Sequence, residues 1–146
     1  MPVFEWNTIY NTGIIHIDAQ HQKLVALINN LHEEMKKGSG NKILDLVLKE
    51  LLEYVFYHFN AEEEMFAKYS YPEFHLHRAE HDALTKKLLE LREKFKAGNT
   101  FITSELITFL KSWLTIHILQ SDMKFSKYLS TIKISQNEAG AQYEAG

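Results

Sequence analysis

The sequence contains no cysteine and few of the residues that interrupt regular structure. Without cysteine, the chain forms no disulfide and offers no thiolate ligand to a metal. Only two prolines and six glycines occur in 146 residues, and most of them separate segments of helical pattern. No segment approaches the roughly 18 consecutive apolar residues of a membrane-spanning helix, and residues 1–12 do not resemble a signal peptide. We therefore expect a cytoplasmic protein without a membrane partner.

The chain also lacks a strong excess of charge. Lys and Arg number 16 against 19 Asp and Glu, which gives a net charge of −3, and no basic run occurs. A nucleic-acid partner is not expected, because phosphate backbones are bound by clustered basic residues. Histidine is the residue present in notable number, with eight copies.

Four long segments carry apolar residues at helical spacing, and strand patterns are almost absent. The predicted helices run from Asp18, as the N-cap, to about Lys37, from about 41 to 69, from about 73 to 97, and from 103 or 104 to about Leu129. Short connections favour antiparallel neighbours, so we predict an all-α, up-down-up-down four-helix bundle after an irregular N-terminal arm. Residues 1–130 form the predicted domain, and the small, polar residues 131–146 form a predicted flexible tail.

Five histidines and one glutamate fall on the predicted inward faces of the helices: His21, His58, Glu62, His77, His81 and His117. His58 and Glu62 are four residues apart, as are His77 and His81, so each pair shares one helical face. Burying this many imidazoles in an apolar core is costly unless they bind metal or pair with one another. Neutral imidazole suits iron, zinc, copper or nickel, and carboxylates can bridge two cations.

Asp122 follows His117 by five residues, so a regular helix would turn the two side chains to different faces. One extra residue in the turn, as in a π-bulge, would bring the Asp122 carboxylate back toward His117, and such bulges often mark functional sites. The alternative is that Asp122 caps a shortened helix or faces solvent. With Asp122 included, the inward set has too many ligands for one ion, which predicts a site for two metals.

The segments IDAQH, HFNAEEE, HLHRAEH and WLTIHILQSD resemble the hemerythrin signature, H…HxxxE…HxxxH…HxxxxD, in order and in spacing. Flanking residues, including Trp6, Tyr54 and Met65, resemble the bacterial branch of the family, the bacteriohemerythrins. The resemblance extends over about residues 4–129. It implies a helical bundle that holds a non-haem di-iron centre with an oxo or hydroxo bridge.

The resemblance also implies a role for each candidate ligand. One iron would be bound by three histidines: His77, His81 and His117. The other would be bound by His21 and His58, with two carboxylates bridging the pair: Glu62 and Asp122. One position on the two-histidine iron stays open, and in the family dioxygen binds there. The expected function is therefore reversible dioxygen binding, as a carrier or store, by a protein that is not an enzyme and is expected to be monomeric.

Apolar side chains near the open position would exclude water and protons from bound oxygen. The candidates are four residues that can equally be ordinary core residues: Trp113, Leu114, Ile118 and Leu119. The ligand imidazoles also need hydrogen-bond acceptors to orient them, and Tyr54, Tyr57 or backbone carbonyls are candidates. We expect no ligand among the remaining histidines: His16, His32 and His75. The pair Glu63 and Glu64 is expected to face solvent.

Two other functions stay open at this stage. A di-iron enzyme acting on peroxide or nitric oxide would use the same ligands, and so would a sensor whose partner contacts change with dioxygen or redox state. A sensor is disfavoured because no output module is expected in a chain of this length. A structural zinc site is also disfavoured, because closed tetrahedral sites leave the number of ligands unexplained.

Overall fold

In the computed structural model, the chain is described over residues 3–98 and 102–135. The helices of these ranges are α1 (Ile15–Lys36), α2 (Asn41–Lys68), α3 (Phe74–Lys96), α4 (Ile102–His117) and α5 (Met123–Ser135), with a π-helical turn at Ile118–Asp122. Helix α4, the π turn and α5 follow one another without a break and form the fourth segment of a four-helix bundle. Each segment packs against its neighbours in sequence, and α1 packs against α4, which closes the bundle. No strand occurs in the described ranges, so the predicted fold class is confirmed.

The predicted helix bounds agree best with the structure for α2 and α3. Helices α2 and α3 begin and end within one residue of the predicted bounds. Helix α5 continues past the predicted end at Leu129 to Ser135. The rest of the predicted tail, residues 136–146, lies outside the described residues. None of the described helices is long and apolar enough to cross a membrane.

Helix α1 corrects the predicted cap. It begins at Ile15, so Asp18 lies within the first turn instead of preceding it. The Asp18 carboxylate accepts hydrogen bonds from the backbone N–H groups of Thr12 and Gly13, at 2.8 and 3.1 Å, and from Thr12 Oγ1 at 2.7 Å. Gly13 adopts a φ of 86°, a conformation that favours glycine. Asp18 therefore fixes the loop before the helix, and its charge lies near the positive end of the helix dipole.

The N-terminal arm is held at two points along the bundle. Asn29 of α1 accepts a hydrogen bond from the backbone N–H of Phe4 and donates one to its carbonyl, both at 2.9 Å. The Phe4 side chain is buried in the core. Further along the arm, Ser126 Oγ donates to the Thr12 carbonyl. The arm also contains a 3-10 turn, Thr8–Tyr10, so it is more ordered than the irregular arm that the sequence predicts.

The apolar core is divided into two clusters by a layer of polar residues. The larger core cluster includes Leu24 and Ile118, and the smaller core cluster includes Ile17 and Phe125. Along α1, His21 lies between Ile17 and Leu24, and Asp122 lies between Ile118 and Phe125 in the fourth segment. The polar layer therefore has apolar packing on both sides, which restricts the access of water to it.

Candidate metal centre

The seven side chains that the sequence proposes as ligands meet in this polar layer. Each of them is at most 3% exposed: His21, His58, Glu62, His77, His81, His117 and Asp122. Their ligand atoms form two groups, and within each group these atoms lie within 4.8 Å of one another. One group contains Glu62 and the three-histidine set, His77, His81 and His117. The other contains Glu62, Asp122 and the two-histidine set, His21 and His58.

The Glu62 carboxylate lies between the two histidine sets. Its Oε1 is 3.0 Å from His81 Nε2 and 3.7 Å from His77 Nε2, on the side of the three-histidine set. Its Oε2 is 3.3 Å from His58 Nε2 and 3.6 Å from His21 Nε2, on the other side. One carboxylate thus presents one oxygen atom to each set, which is the arrangement of a bridging ligand.

Asp122 repeats this division. Its Oδ1 is 3.0 Å from His77 Nε2 and 3.2 Å from His117 Nε2, whereas its Oδ2 is 3.0 Å from His21 Nε2. The π-helical turn Ile118–Asp122 directs the carboxylate inward. The predicted π-bulge is therefore confirmed, and the alternative of a solvent-facing Asp122 is excluded by its burial.

The spacing of the imidazoles suits ligands of a single ion. His117 Nε2 lies 2.8 Å from His77 Nε2 and 3.2 Å from His81 Nε2. Two nitrogens that each lie about 2.1 Å from an ion, at right angles to each other, are about 3 Å apart. His117 Nε2 therefore lies at the separation expected for a shared ion from each of the other two nitrogens, and all three fall within one ligand group.

Several buried atoms of the two ligand groups have no hydrogen-bond partner in the described part of the chain. These atoms are His21 Nε2, His58 Nε2, Glu62 Oε1 and both carboxylate oxygens of Asp122. Buried polar atoms are nearly always satisfied, and an unsatisfied group often marks a ligand or ion site. Because the unsatisfied atoms are good metal ligands, the residues fit a bound metal.

The charges of the layer are mutually stabilising. Burial by itself lowers the pKa of His21, but its contacts with Asp122 and Glu62 outweigh burial and raise that pKa to about 9. Burial also opposes ionisation of the two carboxyls, yet the surrounding imidazoles hold the pKa of each below its ordinary value. The pKa of His58 is instead lowered, chiefly by burial. Both carboxyls are thus ionised at neutral pH, the form that binds metal.

Three further residues, here called the outer acceptors, were not found by sequence reasoning: Gln20, Glu63 and Glu80. Each accepts a hydrogen bond from the Nδ1–H of one ligand, at 2.7 Å from His58, 3.0 Å from His81 and 2.9 Å from His117, respectively. The hydrogen bond from His117 lowers the pKa of Glu80 to about 2. Each outer acceptor directly precedes or follows a candidate ligand in the sequence, but this adjacency alone does not distinguish it from a solvent-facing residue.

The outer acceptors correct two expectations. Tyr54 and Tyr57 do not orient the imidazoles, and Tyr57 is 59% exposed. Glu63 does not simply face solvent, since its side chain is 22% exposed and contacts His81, whereas Glu64 is exposed as expected.

The expected apolar wall is present only in part. Leu114 and Ile118 are buried, and the partly buried Trp113 stacks on His117 with 4.3 Å between ring centroids. Leu119 is instead 39% exposed. It lies in the π turn two residues after His117, and its exposure shows that it points away from the buried ligands.

The remaining histidines stay outside both ligand groups, as expected from the sequence. His75 is exposed, and His32 is partly buried. His16 is also partly buried, and its Nε2 lies 3.2 Å from the sulfur of Met65.

The comparisons with known proteins agree with this geometry. Residues 12–129 match the Hemerythrin HHE cation binding domain. Bacteriohemerythrin of Stenotrophomonas maltophilia (strain R551-3) is 30% identical over 149 aligned positions, which cover 100% of this chain and 92% of that protein. The hemerythrin-like protein of Naegleria gruberi is 36% identical over 126 residues, covering 86% of this chain and 93% of that protein. A crystal structure of wild-type hemerythrin has a TM-score of 0.80 at 29% identity, covering 86% of this chain and 96% of that one. The chain therefore belongs to the hemerythrin family.

Proposed function

We propose that this chain binds dioxygen reversibly at a non-haem di-iron centre and acts as an oxygen carrier or store. The observation that carries the proposal is the division of the two carboxylates. Glu62 and Asp122 each place one oxygen beside the three-histidine set and the other beside the two-histidine set. Such a division lets each carboxylate contact two ions bound side by side, whereas a single ion would not require it.

The number and kind of ligand atoms support a pair of irons. The chain offers five imidazole nitrogens and four carboxylate oxygens in the two groups. Imidazole and carboxylate are both suitable for iron, and two octahedral ions take about twelve ligand atoms together. Room is therefore left for a solvent-derived bridge and for one small external ligand. Because one ion has two histidines where the other has three, we place the external ligand on the two-histidine side.

The charge of the ligand set favours binding over oxidation chemistry. Two irons held there would supply the electrons that dioxygen takes up on binding and returns on release. Ferritin-like di-iron sites are rich in glutamate, whereas only Glu62 and Asp122 are anionic among the seven candidate ligands. Fewer anions stabilise the higher oxidation states less, so this ligand set favours a reversible transfer of electrons.

Apolar packing one helical turn from the ligands supports the same function. A cavity of about 10 Å³ is lined by Leu24, Ile28, Leu51, Val55, Phe59, Leu84, Leu110, Trp113 and Leu114. It is here called the apolar cavity. Leu24 lies one turn after His21, and Val55 lies one turn before His58. The cavity is no larger than about one water molecule, and its lining is apolar, so this packing limits the access of water and protons to the ligands.

Aromatic rings fix the imidazoles against this packing. Phe59 stacks on His81 with a centroid distance of 3.9 Å and an interplanar angle of 6°. The neighbouring Trp113, whose ring centroid is 5.8 Å from that of Phe59, stacks on His117 at 15°. Ring stacking and the outer acceptors together hold the imidazoles in a single orientation, which lets them accept metal without rearrangement.

The test is an optical titration of the iron-loaded protein with dioxygen. The purified chain is loaded with ferrous iron without air, and iron is counted per chain. We expect two irons per chain and an absorption change on addition of dioxygen that is reversed when dioxygen is removed. One iron or none per chain, or an irreversible change on first exposure, would overturn the proposal.

The same preparation distinguishes an enzyme from a carrier. Consumption of hydrogen peroxide or nitric oxide is followed with and without a reductant. Many turnovers per chain would favour the enzyme function, whereas at most one equivalent per centre agrees with a carrier. A zinc-loaded sample is the matched control, because it fills the ligands without redox chemistry.

A further inference from the structure

The outer acceptors connect the four helical segments in order. Gln20 on α1 contacts His58 on α2, and Glu63 on α2 contacts His81 on α3. Glu80 on α3 contacts His117 at the end of α4. Donation from Nδ1 orients each imidazole so that Nε2 is the atom presented to a metal, which binds there once Nε2 has released any proton it carries. Each segment thus orients a ligand on the next segment.

The two charged outer acceptors are themselves held in position. Ser121 Oγ donates a hydrogen bond to Glu80 Oε1 at 2.6 Å. Arg78 forms an ion pair with Glu63, with 3.7 Å between Arg78 Nε and Glu63 Oε1. These contacts keep each carboxylate against its imidazole, although the side chains of Glu80 and Glu63 are 46% and 22% exposed.

The charge of the outer acceptors is unequal between the two halves of the site. In the three-histidine set, two imidazoles donate to carboxylates. In the two-histidine set, His58 donates to the neutral amide of Gln20, and the Nδ1 of His21 has no partner in the described part of the chain. A carboxylate acceptor makes an imidazole a more basic ligand, whereas an amide acceptor orients it without adding charge.

We propose that Gln20, Glu63 and Glu80 are positioning residues that make the two halves of the centre electronically unequal. Glu63 and Glu80 stabilise the oxidised metal in the three-histidine half. Gln20 fixes His58 without that effect, so the half that receives dioxygen under the proposed function is less prone to remain oxidised. The inference rests on the proposed function, and it adds residues that determine how reversible the oxidation is.

The test compares isosteric variants that change the charge of one outer acceptor. Glu63→Gln and Glu80→Gln remove a charge, and Gln20→Glu adds one. Glu64→Gln is the matched control, because Glu64 is exposed, adjoins Glu63 in sequence and contacts Asn60 instead of a ligand. The midpoint potential of the iron-loaded protein is measured by anaerobic spectroelectrochemistry with mediators.

We expect the two Glu→Gln variants to raise the midpoint potential and Gln20→Glu to lower it. A tenfold change in the preference for oxidised metal corresponds to about 59 mV for a one-electron couple, and shifts of that size are expected. Glu64→Gln should match the wild-type protein. Potentials that are unchanged in all three variants, or that change equally in the control, would overturn the inference.

A second measurement does not depend on iron or on dioxygen. Cobalt(II) is titrated into each metal-free variant, and its affinity is taken from the absorption of the bound ion. Loss of an outer hydrogen-bond partner typically weakens metal binding about 10- to 100-fold, so Glu63→Ala and Glu80→Ala, which remove the acceptor altogether, should bind cobalt at least tenfold more weakly than Glu64→Ala. Equal affinities would contradict the inference.

The two proposals fail in different ways. If wild-type protein takes up fewer than two irons per chain, the proposed function fails and the cobalt affinities still decide the role of the outer acceptors. If two irons bind but the potentials do not respond to the charge of Gln20, Glu63 and Glu80, only the inference fails.

Discussion

The change Asp122→Asn removes one negative charge from the polar layer and keeps the size of the side chain. The Asp122 carboxylate is 3% exposed and lies 3.0 Å from His21, 3.0 Å from His77 and 3.2 Å from His117. Removing one partner of a buried ion pair costs about 3–5 kcal/mol, because the remaining charge is left uncompensated. The metal-free variant should lose about that much free energy of unfolding at pH 7, where His21 is protonated.

The same change should weaken binding of both metals, since each oxygen of Asp122 faces a different histidine set. Loss of an outer partner alone costs about 10- to 100-fold in metal affinity, so loss of a ligand should reach at least the upper end of that range. The assay is metal counted per chain after dialysis, together with urea unfolding of the metal-free protein. Asp82→Asn is the control, because Asp82 is exposed beside His81. A variant that retains both metals with wild-type affinity would refute the bridging role of Asp122.

Three further changes have expected outcomes. Leu114→Ala should cost about 3 kcal/mol of stability and should speed autoxidation several-fold. Leu106→Ala is the control, because Leu106 is buried farther from the histidines and its loss should reduce stability alone. Equal autoxidation rates in the two variants would show that Leu114 does not shield the site. The raised pKa of His21 stabilises the metal-free chain below pH 6.5, and this contribution, about 3 kcal/mol at most, is lost as the pH rises through about 9. Urea unfolding at pH 6.5 and 9.5 should show this loss of stability in the metal-free protein but not in the zinc-bound protein. An equal free energy of unfolding of the metal-free protein at the two pH values would contradict the prediction. Asn29→Ala removes two hydrogen bonds to Phe4 and should lower the free energy of unfolding, measured in urea, by about 2 kcal/mol. An unchanged free energy of unfolding would show that the arm is held by other contacts.

The helices and the meeting of the seven side chains followed from the sequence because both depend on spacing. Pairs four residues apart share a helical face in any helix, so His58 with Glu62 and His77 with His81 could be placed together from the sequence. Because these residues lie on the apolar faces of the predicted helices, they were expected in the interior of the bundle. Spacing also revealed the exception at Asp122, since five residues do not fit a regular turn.

The start of α1 and the outer acceptors did not follow from the sequence because they depend on contacts rather than on spacing. Aspartate is a residue type favoured at N-caps, but the Asp18 carboxylate accepts hydrogen bonds from Thr12 and Gly13, and the helix begins before Asp18. Glu63 and Glu80 are charged, and in sequence they resemble ordinary solvent-facing residues. Only the distance between neighbouring helices shows that each one reaches an imidazole on the next helix.

The π turn connects the inner ligands to the outer acceptors. In a regular helix, the residue four positions after His117 is Ser121, so a hydroxyl would occupy the inward position. With one more residue in the turn, Asp122 takes that position, and Ser121 moves aside to donate to Glu80. Glu80 in turn accepts from His117, the residue directly before the π turn. A single additional residue therefore directs one oxygen of Asp122 toward each histidine set and also fixes the acceptor of His117, so shortening the turn would disturb the candidate ligands and the outer acceptors at once.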